Sequence, residues 1–118
     1  MTGGQYAAGR QGERQAEAYL CSRGMVCLAR NYRGQDGEID LVMQDGDTLV
    51  MVEVKCRPRG RAGEGLMAVT PGKQRRLLHA AQAFLLEKEW NGASVRFDVV
   101  EITASGLLHV PNAFWPGR

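Results

Sequence analysis

Apolar positions along the chain follow a helical spacing twice and an alternating spacing in between. From Arg10 to about Arg23, Ala16, Tyr19 and Leu20 recur on one helical face, and Gly24 supplies the left-handed stop that helix ends favour. Met25 to Tyr32 and Glu38 to Gln44 alternate in the manner of strands, the second carrying Ile39, Leu41 and Met43. Asp45-Gly46-Asp47 is a tight-turn signal, and Thr48 to Lys55 follows as a third strand, apolar enough to be central. Thr70-Pro71 places an N-cap before a proline at the first helical position. Leu77, Leu78, Ala81, Phe84 and Leu85 then give the second helix its apolar face, and Asn91-Gly92 is expected to stop it. Val95 to Ile102 reads as a fourth strand and Leu107 to Val110 as an edge strand.

The order α-β-β-β-α-β, with a hairpin followed by a strand-helix-strand crossover, predicts an α/β fold with a mixed central sheet flanked by helices. One domain is expected over residues 9–110, after a frayed segment 1–8 and before a C-terminal tail 111–118. With 118 residues and 44% hydrophobic content, the chain can bury a core without metal or disulfide staples. The three cysteines, Cys21, Cys27 and Cys56, form no Cys-x-x-Cys pair and read as reduced thiols. No apolar run approaches a membrane span, and the first residues lack a signal-peptide pattern, so a cytoplasmic protein without a membrane partner is expected.

Net charge is only +2, but its distribution is uneven. Lys55, Arg57, Arg59, Arg61, Lys73, Arg75 and Arg76 face a lone Glu64 between positions 55 and 76, a local +6 against −4 for the rest. Arg57 to about Val69 contains three glycines and reads as a mobile basic loop. Such a half fits a face that meets phosphates, and a solvated loop fits the charge equally well.

The anomaly lies in the third strand. Ionised groups taken out of water cost several kcal/mol unless paired or bound to an ion, yet Glu53 and Lys55 interrupt Val50-Met51-Val52-x-Val54. Residues two apart share a sheet face, so Glu53 and Lys55 point one way and Val52 and Val54 the other. The preceding strand carries Asp40 and Glu38 in the matching positions. A two-residue turn at Asp45-Gly46 sets Asp40 opposite Met51, diagonal to Glu53, whereas a four-residue turn sets it opposite Glu53. A three-residue loop would separate them. Converging carboxylates are most easily kept ionised by a divalent cation, and an all-oxygen donor set suits Mg²⁺ or Mn²⁺. A neighbouring lysine can then act on the attacking water, which is the layout of metal-assisted phosphodiester hydrolysis. A cross-strand salt-bridge network on an exposed sheet face accounts for the same residues without chemistry.

Asp40, twelve intervening residues and Glu53-Val54-Lys55 resemble the PD-(D/E)XK nuclease superfamily, which includes archaeal Holliday-junction resolvases. Gly12-Glu13-x3-Glu17-Ala18-x-Leu20, Arg30-Asn31-Tyr32-Arg33, Gly37-Glu38-Ile39-Asp40-Leu41, Val52-Glu53-Val54-Lys55-x-Arg57 and Arg96-Phe97-Asp98-Val99-Val100 resemble the YraN family of small bacterial proteins. The resemblance implies a restriction-endonuclease-like core. It also implies metal ligation by Asp40, Glu53 and the Val54 carbonyl, with Lys55 as the catalytic lysine and Glu13 completing the site from helix one. Ile39 stands where the superfamily has proline, and Met51 where many relatives carry Phe. Gln74 resembles the glutamine or lysine that some members place near the scissile phosphate. Arg57, Arg59, Arg61, Lys73 and Arg75 are candidate phosphate contacts that need not read bases. His79 and His109 read as solitary, Arg96 and Asp98 as either support for the site or a pair on the exposed face, and Phe84 and Trp90 as core. The expected activity is an endonuclease acting on DNA rather than RNA, with branched or single-strand-bearing substrates in view. Cutting both strands would call for a homodimer. A nucleic-acid-binding or partner subunit that keeps the fold without turnover is the competing reading.

Overall fold

A computed structural model describes residues 3–61, 63, 69–90 and 94–115. The elements are α1 (Gly3–Ser22), β1 (Val26–Arg33), β2 (Glu38–Asp45), β3 (Thr48–Cys56), α2 (Pro71–Glu87), β4 (Ser94–Thr103) and β5 (Gly106–Val110). The five strands form one sheet in the order β1-β2-β3-β4-β5, antiparallel throughout except for the parallel pair β3-β4 that α2 connects. This is the α-β-β-β-α-β core that the hydropathy pattern predicts, with one further strand at the edge.

Each sheet face has its own core because β3 alternates. Leu49 and Met51 join Val42, Phe97 and Val99 under Leu77, Ala80, Ala81 and Phe84 of α2, while Val50 and Val52 join Leu41, Met43 and Val100 under Ala16 and Leu20 of α1. All of these side chains are buried. Covering both faces explains why β3 reads as a nearly continuous apolar run. Among the described residues no helix is long and apolar enough to cross a membrane.

The boundaries depart from the sequence reading in two places. Helix α1 begins at Gly3 rather than Arg10, because apolar spacing marks only the turns that pack on the sheet. Helix α2 ends at Glu87 with Lys88 as its cap, and Glu89 takes φ +49. The helix thus stops before Asn91-Gly92, a pair that lies outside the described residues. Most of the glycine-rich stretch between Arg61 and Val69 also lies outside them.

Helix α2 is fixed from several directions. Thr70 caps it, its hydroxyl accepting the Lys73 N–H at 3.3 Å while its carbonyl accepts the Gln74 N–H at 2.8 Å. Near its far end, the Tyr32 hydroxyl donates to Glu87 at 2.6 Å, and the Tyr32 ring meets Phe84 edge-on at 5.1 Å. The β1–β2 connection lies against the helix backbone: a Cβ on Gly34 would sit 2.8 Å from the Ala80 Cα, and one on Gly37 would collide with the Arg76 carbonyl. Asp36 adds a contact to His79 at 2.8 Å.

Gly37→Ala is therefore expected to destabilise the domain by about 1–3 kcal/mol by forcing the connection off α2, while Gly9→Ala, where a Cβ meets nothing within 4 Å, should not. Urea unfolding midpoints test this; equal midpoints for the two variants would contradict the close approach.

Candidate active site

The site begins with the turn. Asp45 pairs with Thr48 and Leu41 with Val52, so the two-residue connection is Gly46-Asp47 and not Asp45-Gly46. Gly46 has φ +61, as hairpin turns with glycine at the first central position require. This register continues to Asp40 opposite Glu53, the outcome that the sequence reading attached to a longer turn.

Main-chain pairing stops at Leu41–Val52, one residue short of the carboxylates. There the Val54 N–H donates to Asp40 Oδ2 at 2.8 Å, so the side chain of Asp40 takes up a donor that the ladder would otherwise satisfy. The strands part at this point, and a cavity of about 240 Å³ lined by Gly37, Glu38, Asp40, Glu53, Lys73, Arg76 and Leu77 lies between them and the start of α2.

Electrostatics follow from this confinement. Glu53 leaves only 8% of its side chain exposed, with Lys55 Nζ at 3.4 Å and Lys73 Nζ at 3.6 Å. Partly buried Asp40 has its carboxyl pushed up to about 8, first by loss of water, then by the Glu53 charge, with Glu13 adding a smaller push and the Val54 N–H opposing. Lys55 is shifted down, mainly by burial and by the neighbouring Lys73 ammonium, against the attraction of Glu53. Lys73 sits in the first turn of α2, where a cation opposes the helix dipole. The buried Glu53 anion accounts for its presence there.

The other expected residues divide clearly. Glu13 is turned to the site's flank, accepting from Asn31 Nδ2 at 3.0 Å. Among the described residues no three His, Cys, Asp or Glu side chains converge as metal ligands. The structure thus brings together Asp40, Glu53, Lys55 and Lys73, with Val54 at the same edge, and leaves Glu13 beside them. Gln74 is not brought in; its amide donates to the Val69 carbonyl at 3.1 Å. Arg57, Arg59, Arg61 and Arg75 are exposed, and Arg57 to Gly60 form a turn closed by a 2.9 Å hydrogen bond. Glu38 lies at the cavity rim, 3.4 Å from Arg33.

Arg96 and Asp98 form neither a support for this site nor a pair on an exposed face. Asp98 is fully buried on the α1 side of the sheet, where it receives Arg96 at 2.9 Å and 3.1 Å, the Asn112 N–H at 2.9 Å and His109 at 2.8 Å. His109 also meets Tyr19 edge-on at 5.8 Å. Alternation of charge in β4 suggested exposure because the long-range partners that bury Asp98 come from beyond the strand.

Glu101 escaped the sequence reading. It lies opposite Lys55 on β4, only 2% exposed, and accepts the Gly63 N–H at 2.7 Å. Its signal was the same as that of Glu53, a carboxylate within the apolar run Val99-Val100-x-Ile102. It ties the glycine-rich connection to the sheet beside Lys55.

A family model described as uncharacterised protein family UPF0102 matches residues 12–102. A UPF0102 protein of Geobacter metallireducens is 44% identical over 110 residues, covering 90% of each chain. One from Herminiimonas arsenicoxydans is 47% identical over 105 residues, covering 89% of this chain and 84% of the relative. One from Yersinia enterocolitica is 47% identical over 104 residues, covering 86% and 89% respectively. The matched span contains Glu13, Asp40, Glu53, Lys55, Lys73 and Glu101.

The raised carboxyl of Asp40 makes stability depend on pH with a definite sign. The folded chain holds a proton there that the unfolded chain releases near 3.8, so without divalent metal this group's contribution falls as pH rises from about 4 to about 8. Asp40→Asn keeps an acceptor for the Val54 N–H and removes the ionisation. In chelator at pH 8 it should be more stable than wild type by more than about 1 kcal/mol, with the advantage vanishing near pH 4. Parallel pH profiles for the two proteins would contradict this.

Proposed function

Because the chain belongs to uncharacterised protein family UPF0102, the YraN family, its chemistry has to be argued from its own side chains, and we propose that it is a metal-dependent endonuclease hydrolysing phosphodiester bonds of DNA. The observation that carries this reading is the convergence of Asp40 and Glu53 at the end of the β2–β3 ladder with two lysine ammonium groups within 3.6 Å of Glu53. The likeness to PD-(D/E)XK nucleases in the spacing of Asp40, Glu53 and Lys55 points the same way.

The donor set fits Mg²⁺ or Mn²⁺. It is all oxygen, and Asp40 holds its proton to an unusually high pH because burial, and after it the repulsion of Glu53, are only partly offset. Two carboxylates, joined by the Val54 carbonyl, are the kind of partial cage Mg²⁺ accepts, since that ion keeps several waters or substrate oxygens. When bound, such an ion would polarise the phosphoryl oxygen and acidify water. Lys55, shifted toward its neutral form by burial and by Lys73, is suited to take the proton of the attacking water at Nζ. Lys73 supplies positive charge beside Glu53 and toward an incoming phosphate. The Val54 N–H holds the Asp40 carboxylate in place, and the β1–β2 connection pressed on α2 holds Lys73 near Glu53.

Substrate contact beyond the scissile phosphate falls to exposed Arg57, Arg59, Arg61 and Arg75, charges that grip backbone phosphates rather than base edges. Symmetric cutting of both strands would use two copies of the chain.

Labelled flaps, four-way junctions, duplexes and single strands incubated with Mn²⁺ should be cut by wild type. Asp40→Asn, Glu53→Gln and Lys55→Ala should each lower the rate by at least about 100-fold without loss of fold. Full activity in any of the three, or in excess chelator, would overturn the proposal. Salt-sensitive binding without cutting, indifferent to these substitutions, would instead favour a non-catalytic subunit. Light scattering during symmetric double-strand cleavage should report a dimer, and a concentration-independent monomer would contradict the two-copy arrangement.

A further inference from the structure

Beside the carboxylates, β1 carries a residue that departs from strand geometry. Asn31 has φ +48 within a strand whose flanking pairs are Arg30–Leu41 and Tyr32–Ile39. The register sets it next to Asp40. A non-glycine residue in the left-handed region is uncommon, though asparagine tolerates it better than most, and such residues gather at functional sites. The turn-out of the backbone has a visible use. The Asn31 amide donates to Glu13 Oε1 at 3.0 Å and reaches Glu38 Oε1 at 3.4 Å, bridging a carboxylate of α1 and one of β2.

We propose that Asn31 is a positioning residue whose amide holds the Glu13 carboxylate on the flank of the Asp40–Glu53 pair, where its charge strengthens the hold on a divalent cation. The inference rests on the metal-dependent reading of that pair. Glu13 and Asn31 meet in a groove that they line with Arg10, Arg14, Glu17 and Arg30. Arg30 is engaged there by Glu17 at 2.6 Å and 2.7 Å. Without the Asn31 amide, Glu13 loses the hydrogen bond that ties it to the strand residue beside Asp40. The assignment also explains why asparagine, rather than glycine, occupies a backbone position that glycine would fill with less strain. The asparagine amide carries two donor hydrogens, enough to serve both carboxylates, on a residue that tolerates this φ.

Mn²⁺ titrated calorimetrically into wild type, Asn31→Gly, Glu13→Gln and the double variant tests the proposal without any turnover. Glycine suits the observed φ, so Asn31→Gly should fold while losing the amide. It is expected to weaken Mn²⁺ binding about 10-fold, at the lower end of the range for outer-shell partners. Glu13→Gln should weaken it comparably, and the double variant no further than Glu13→Gln alone. Wild-type affinity in Asn31→Gly, or an undiminished effect of that change in the Glu13→Gln background, would overturn the positioning role while leaving the metal site standing. If wild type itself takes up no Mn²⁺, the metal-dependent reading fails and this inference with it. Should Asn31→Gly not fold, the Glu13→Gln arm decides, since wild-type affinity there leaves Asn31 nothing to position.

Discussion

Two carboxylates, Asp40 and Glu53, are held close together where little water reaches them, and most of the surrounding structure is arranged around that repulsion. Lys55 and Lys73 approach Glu53 within 3.6 Å, the Val54 N–H binds Asp40, and Asp40 keeps its proton to about pH 8. In a domain stabilised by only a few kcal/mol net, such a group is a local liability. It is tolerable because the hairpin is buried on both faces by the α1 and α2 cores and has no alternative register available to it.

The placement of α2 follows from the same constraint. Its first turn brings a lysine to a helix end where a cation is disfavoured, and Glu53 is what makes that position favourable. For Lys73 to reach Glu53, the helix has to lie close to the β1–β2 connection, and Gly34 and Gly37 permit that approach. Tyr32 and Phe84 fix the other end of the helix. Packing far from the carboxylates thus sets the distance between two charges at the site. Glu101 does similar work for the glycine-rich connection through Gly63.

Much of this was legible in the residue order. Alternation in β3, with Glu53 and Lys55 on the face of Leu49 and Met51, gave their shared side directly, and Thr70-Pro71 marked the start of α2. Hairpin register was legible only as alternatives, because Asp45-Gly46-Asp47 accommodates more than one turn and the choice is made by sheet contacts. The partners of Asp98 were hidden, since Asn112 and His109 arrive from the edge strand and beyond it. Lys73 and Gln74 are adjacent in a first helical turn, and which of them meets Glu53 depends on the angle at which α2 docks. The Asn31 bridge was out of reach because a positive φ inside a strand leaves no mark in hydropathy.

The central claim is that Asp40 and Glu53 together seat one hard cation. Crystals soaked in Mn²⁺, with diffraction recorded at a wavelength where manganese scatters anomalously, address it most directly. The account predicts a single strong peak bonded to both carboxylates, absent from Asp40→Asn crystals grown in the same way. A peak bound to only one of them, or none at all with Glu53 still paired to Lys55 and Lys73, would contradict it.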